Sequence, residues 1–146
     1  MKKFLMMAFA AATMLMAVSC GKDDDQKTFS GDTLAGTTWV AHVNENQTQT
    51  YEGQTVSFKI NATFTMKFIT ETTGTGSSSG SMSSSFMGQE YTEDITAGPT
   101  PFTYTFDGQT MSMTDEDGEI VTLTLNSDKT ALVGTMEEFP VSFYLQ

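Results

Sequence analysis

From Thr37 to the C-terminus, apolar and polar residues alternate with a period of two, the spacing of strands that bury one face. Val56, Phe58 and Ile60 are interleaved with Ser57 and Lys59. Beyond Asn61-Ala62, the residues Phe64, Met66 and Phe68 alternate with Thr65 and Lys67. Phe102, Tyr104 and Phe106 repeat the pattern and end at Asp107-Gly108, a strong hairpin signal. Met111 and Met113 follow, then the turn Asp115-Glu116-Asp117-Gly118, then Val121, Leu123 and Leu125 among threonines. Asn126 to Lys129 predicts another turn into Ala131 to Met136, and Val141, Phe143 and Leu145 close the chain. Threonine at many outward positions suits an exposed pleated surface. No stretch beyond Cys20 carries helical spacing.

Strands joined by short turns pair antiparallel with their sequence neighbours. The pattern therefore predicts an all-β chain, an antiparallel up-and-down meander closing into an eight- or nine-stranded barrel. Closure removes the sheet edges. At about eight strands the interior is filled by side chains or holds one small ligand. One stretch breaks the pattern. Thr73 to Ser85 is almost entirely Gly, Ser and Thr, a flexible composition that does not pack a core. It is predicted as a long loop or solvated hairpin end; its functional version is a lid over the barrel mouth, with Met82 at the tip.

The first 19 residues have a different character. Lys2 and Lys3 precede Phe4 to Met16, an uncharged apolar run shorter than the ~20 residues a membrane helix needs. A basic start, a short apolar stretch and small residues before a cut site make a secretory signal peptide. Ala17-Val18-Ser19-Cys20 resembles the lipobox of bacterial lipoproteins, with Ala17 where most carry Leu. That resemblance implies a lipidated Cys20 as the mature N-terminus, and several fatty-acid chains (palmitate among them) anchor stably where one is marginal. Lys22, Asp23, Asp24 and Asp25 directly after it look like the acidic export signal of Bacteroidetes surface lipoproteins. The implied location is the outer membrane, facing the cell surface. The expected organisation is a signal peptide over 1–19, a lipidated cysteine and acidic tether over 20–33, and one domain over 34–146. The tether segment Asp32-Thr33-Leu34 resembles a short Bacteroidetes O-glycosylation motif, making Thr33 the candidate acceptor.

Charge narrows the partners. Beyond the leader, only Lys22, Lys27, Lys59, Lys67 and Lys129 oppose 18 acidic residues, and there is no arginine. Phosphate binding rests on Lys and Arg, so nucleic acid is excluded as a partner. Cys20 is the only cysteine, so the domain is expected to hold together by its core without disulfides.

Leu34-Ala35-Gly36-Thr37-Thr38-Trp39 resembles the opening of lipocalin-like domains in Bacteroidetes lipoproteins, although two residues, not one, separate Gly36 from Trp39. The later hairpins, from Phe106-Asp107-Gly108 to the terminal Phe143-Tyr144 strand, are similar as well. The resemblance implies an up-and-down barrel whose tryptophan closes one end. Candidate ligand-binding residues are then Trp39, Phe58, Phe68, Phe106, Met66, Met111 and Met113, since aromatic and thioether side chains line adaptable apolar pockets as well as cores. His42 is the lone histidine and has no nucleophile or orienting carboxylate at a telling spacing. Asp115, Asp117 and Glu119 predict an acidic hairpin turn and not an EF-hand. No enzymatic activity, metal or cofactor is expected. Two functions remain: uptake of a small apolar or glycan-derived ligand, or a filled barrel serving as a structural or interaction module for a protein of the envelope or the host.

Overall fold

A computed structural model describes residues 26–136 and 139–146. The leader, Cys20, Lys22 and the aspartates 23–25 lie outside the described residues. The strands are β1 (Thr38–Tyr51), β2 (Gln54–Phe68), β3 (Thr73–Phe86), β4 (Gln89–Asp94), β5 (Ala97–Phe106), β6 (Thr110–Thr114), β7 (Ile120–Leu125), β8 (Ala131–Met136) and β9 (Phe139–Leu145). All pairings are antiparallel. The sheet runs β2-β1-β9-β8-β7-β6-β5-β3-β4, and β2 also pairs with β3, so eight strands close a barrel and β4 lies outside it.

The turns follow from their residues. The Asp107 carboxylate accepts from the N–H groups of Gln109 (2.9 Å) and Thr110 (2.7 Å) and fixes the β5–β6 hairpin. Asp115 does the same for β6–β7 through Asp117 and Glu119, both at 2.9 Å. The Asn126 side-chain oxygen accepts from Thr130 and Ala131 before β8. Glu52-Gly53 and Met87-Gly88 are tight two-residue turns with positive φ at both positions, the geometry whose twist matches that of the strands it joins.

Inside the barrel, Leu34, Trp39, Met111, Leu123 and Leu132 are completely buried, and Phe68, Met66, Phe102, Tyr104, Val141 and Phe143 nearly so. Edge-to-face contacts tie Phe68 to Tyr104 (4.7 Å between centroids) and to Phe102 (5.7 Å). Tyr104 donates its hydroxyl hydrogen to the Thr70 carbonyl at 2.6 Å, which lets a phenol sit in this core.

β2 runs through Asn61-Ala62 for 15 residues in all, with the even-numbered positions from Val56 to Phe68 keeping one face throughout. One expectation fails. The Gly/Ser/Thr stretch is not a loop but β3, a central strand between β2 and both β4 and β5. Its small residues suit the space above them. The inward positions Gly74, Gly76 and Ser78 oppose Phe68, Met66 and Phe64. A Cβ on Gly74 would meet the Phe102 ring and the Lys67 carbonyl oxygen, each at 2.6 Å. Large neighbours occupy the volume that β3 leaves free.

Candidate binding surface

The barrel has two unlike ends. At its base the chain enters through residues 26–37. Phe29 is buried against Trp39 (5.9 Å) and Phe106 (6.0 Å), and its N–H donates to the Lys129 carbonyl. Trp39 is wholly enclosed, its indole N–H donating to the Thr37 hydroxyl at 2.8 Å, while that hydroxyl donates to the Leu34 carbonyl at 2.6 Å. Trp39 is thus part of the packed core at this end. A shallow cleft of about 270 Å³ lies beside it, bordered by Asp32, Thr33, Glu71 and Tyr104. Thr33, the candidate acceptor, is exposed there.

At the opposite end, Phe64, Met113, Val121 and Met136 are only partly buried against the core. The wall on one side of this mouth does not stop at the rim. β1 and β9 pair only at Trp39 and Val40, and β3 leaves β5 after Ser78. Beyond those points β1, β2 and β3 continue upward, joined by β4, as a four-stranded arm. The residues of β1 beyond Val43, the partner of Ala62, run from Asn44 to Tyr51 and make it roughly 26 Å long at ~3.3 Å per residue. The junction is pinned by Ser78, whose hydroxyl donates to the Ile95 carbonyl at 2.6 Å, and by the Ile95 N–H on the Gly80 carbonyl.

Register defines the two faces of the arm, since directly opposed residues share a side. On the face continuous with the barrel interior, the rows are Glu45-Ile60-Met82-Glu93, Gln47-Phe58-Ser84-Tyr91 and Gln49-Val56-Phe86-Gln89. On the other they are Asn44-Asn61-Ser81-Asp94, Asn46-Lys59-Ser83-Thr92 and Thr48-Ser57-Ser85-Glu90. One face is thus an apolar stripe with polar and acidic margins; the other is wholly polar. Phe86, Met87 and Tyr91 at the tip are 44%, 69% and 62% exposed.

The seven candidate ligand-binding residues therefore separate. Trp39, Met66, Phe68 and Met111 belong to the packed core, and Phe106 and Met113 lean against it. Phe58 stands apart on the arm, half-buried. Sequence reasoning missed the rest of that face, namely Val56, Ile60, Met82, Phe86 and Tyr91. The signal was in the register: the inward parity of β2 persists for more residues than a barrel of this size can enclose.

His42 is exposed on the polar face, its Nδ1 3.0 Å from the Thr63 hydroxyl. Hydrogen bonds from the backbone of Thr110 and Gln109 hold the Asp107 carboxyl below its ordinary value. Thr96 does so for Asp94, through its side chain and then its N–H. Burial, then the nearby Glu71 charge, pushes the Tyr104 phenol up. Among the described residues, no cluster of three or more His, Cys, Asp or Glu is placed to hold a metal ion. No family model, curated protein or solved structure matches the chain.

Proposed function

We propose that this protein is a lipid-anchored, surface-exposed module of the bacterial envelope that docks a partner protein on the apolar stripe of its arm. The observation that carries this reading is the arm itself: an amphipathic sheet extending past the barrel that seeds it, with Val56, Phe58, Ile60, Met82 and Phe86 aligned on one side. An apolar patch rimmed by polar groups marks an interaction site. The packed core supports docking over uptake, because Trp39, Leu123 and Leu132 occupy the interior that a ligand would need. The poles support it as well. The tether enters at the base, so an anchor at Cys20 holds that end nearest the membrane and presents the arm outward. Glu45 and Glu93 at the stripe's margins favour a partner with an apolar strip flanked by basic groups.

Partial burial of Phe64, Met113, Val121 and Met136 favours a second reading, in which the mouth takes a small apolar ligand as lipocalin-like barrels do. One experiment separates them. A photoreactive residue is placed at Ile60 or Met82, and in parallel at Asn61 or Ser83, in the anchored full chain on cells. Docking predicts discrete protein adducts from positions 60 and 82 and none from 61 and 83. Equal labelling from both faces, or none, rejects it. A small molecule retained in native mass spectra and expelled by Val121→Trp would establish the second reading instead.

A further inference from the structure

The edge of the arm, as distinct from its face, has its own chemistry. The Phe68 N–H donates to the Thr37 carbonyl, and the Gln146 N–H donates to the Thr38 carbonyl. Main-chain groups alternate sides along a strand, so odd residues of β1 address β2 and even residues address the β9 side. The β1–β2 register is unbroken from Thr38 to Tyr51, so this parity holds along the arm. Pairing with β9 ends at Val40. The N–H and C=O groups of Asn44, Asn46, Thr48 and Thr50 therefore point to a side where no strand among the described residues pairs with them.

Sheet edges are normally guarded by charge, proline, a bulge or brevity. The other edge of the arm is guarded: β4 has only six residues and includes Glu90, Glu93 and Asp94. The β1 edge from Asn44 to Thr50 has no proline, glycine, lysine or register shift, and Glu45 is its only charge. It is a regular template with a single charge near one end.

We infer that this edge pairs with the same edge of a second copy of the chain, about a twofold axis through Gln47. Gln47 is the midpoint of the free stretch, so this register uses all of it. Asn46 then opposes Thr48 of the partner subunit, Asn44 opposes Thr50 of the partner subunit, and Glu45 faces Gln49 of the partner subunit. No like charges meet. Moving the axis to Glu45 would set two carboxylates against each other, which disfavours that register. The four narrow pairs exchange about eight hydrogen bonds, two per pair, close to the number in a typical interface. The apolar stripes of the two copies join on one side of a continuous sheet. The acidic β4 edges face outward and end the assembly at a closed dimer. This inference stands on the edge and is independent of what docks on the face.

The test uses the full chain in detergent at about 0.15 M salt, where the Debye length of ≈ 8 Å screens the repulsion between two acidic molecules. In this register Gln47 forms a non-hydrogen-bonded pair with itself, at a Cα separation of ~4.5 Å that suits a disulfide. Gln47→Cys is expected to form an intermolecular disulfide at least tenfold faster than Thr92→Cys on the β4 edge, with the unsubstituted chain reporting any reaction of Cys20. Sedimentation equilibrium should show a dimer. Thr48→Pro, which removes one edge N–H, should raise its Kd at least tenfold, and Thr48→Lys, which keeps the N–H and charges the edge, should do likewise. Equal oxidation of the two cysteine variants, or an unsubstituted chain that is monomeric at about 100 μM, overturns the inference.

Discussion

Adding one methyl group at Gly74 tests whether the Gly/Ser/Thr stretch is a barrel strand. The new Cβ would sit 2.6 Å from the Lys67 carbonyl oxygen, 2.6 Å from Phe102 Cζ and 2.9 Å from Phe102 Cε2. The carbonyl belongs to the neighbouring strand, and the ring is buried between Phe68 and Tyr104, so neither gives way cheaply. Overpacking of this kind costs about 1–3 kcal/mol, and contact on two sides places Gly74→Ala at the upper end, ~2–3 kcal/mol. For a domain of this size that lowers Tm by roughly 10 °C. Gly76, two residues along on the same face, provides the control, because its added Cβ would have the Phe102 ring only at 3.9 Å. Gly76→Ala should be neutral or up to ~1 kcal/mol stabilising, since it restricts the unfolded chain without a clash. Urea unfolding of the two variants, followed by circular dichroism, measures the difference. If both fall within about 0.5 kcal/mol of each other, Phe102 does not lie over Gly74 and the placement of β3 is wrong. Adding Phe102→Leu should recover part of the Gly74→Ala loss, as expected for directly touching groups.

Other outcomes follow from the same packing. The fluorescence of the single tryptophan should be blue-shifted and resist acrylamide quenching, and Trp39→Ala should cost ~3–5 kcal/mol in chemical unfolding. Leu123→Ala or Leu132→Ala should cost ~2–5 kcal/mol, whereas Ile120→Ala, at an exposed position, should change stability by less than ~0.5 kcal/mol. The Asp107 carboxyl is held low by its turn hydrogen bonds, so its stabilising contribution is present above the ordinary carboxylate pKa of ~3.9 and is lost as pH falls through the lower folded value; acid titration of Asp107→Ala should lack that component. Tyr104, pushed the other way, favours the fold below the ordinary tyrosine value of ~10, and Tyr104→Phe should flatten the loss of stability as pH rises through the folded value.

Much of the barrel was legible because strands with one buried face announce themselves by parity, and because Asp107-Gly108, Asp115 to Gly118 and Asn126 to Lys129 turn through their own side chains. What escaped was the part where neighbours supply the volume. β3 has almost no apolar residues of its own, so its place in the core is set by Phe68 and Phe102 lying over Gly74, contacts remote in sequence. Phe29 was hidden for a similar reason: a lone aromatic in the polar stretch Gln26 to Asp32 has no periodicity, and it becomes core only because the segment folds back against Trp39. The arm was concealed by success of the alternation itself. Val56, Phe58 and Ile60 have the same parity as Met66 and Phe68, and nothing local distinguishes a residue inside the barrel from one beyond its rim.

A cysteine-accessibility series along the inward face of β2 measures that distinction directly. Single cysteines replace Val56, Ile60, Phe64, Met66 or Phe68 in the folded protein, and their reaction with a maleimide is timed. Rapid labelling is expected at 56 and 60, slower labelling at Phe64, and protection at 66 and 68 until the protein unfolds. Uniform protection from 56 to 68 would mean that no apolar stripe is offered outside the barrel, and uniform reactivity would mean that no packed interior exists.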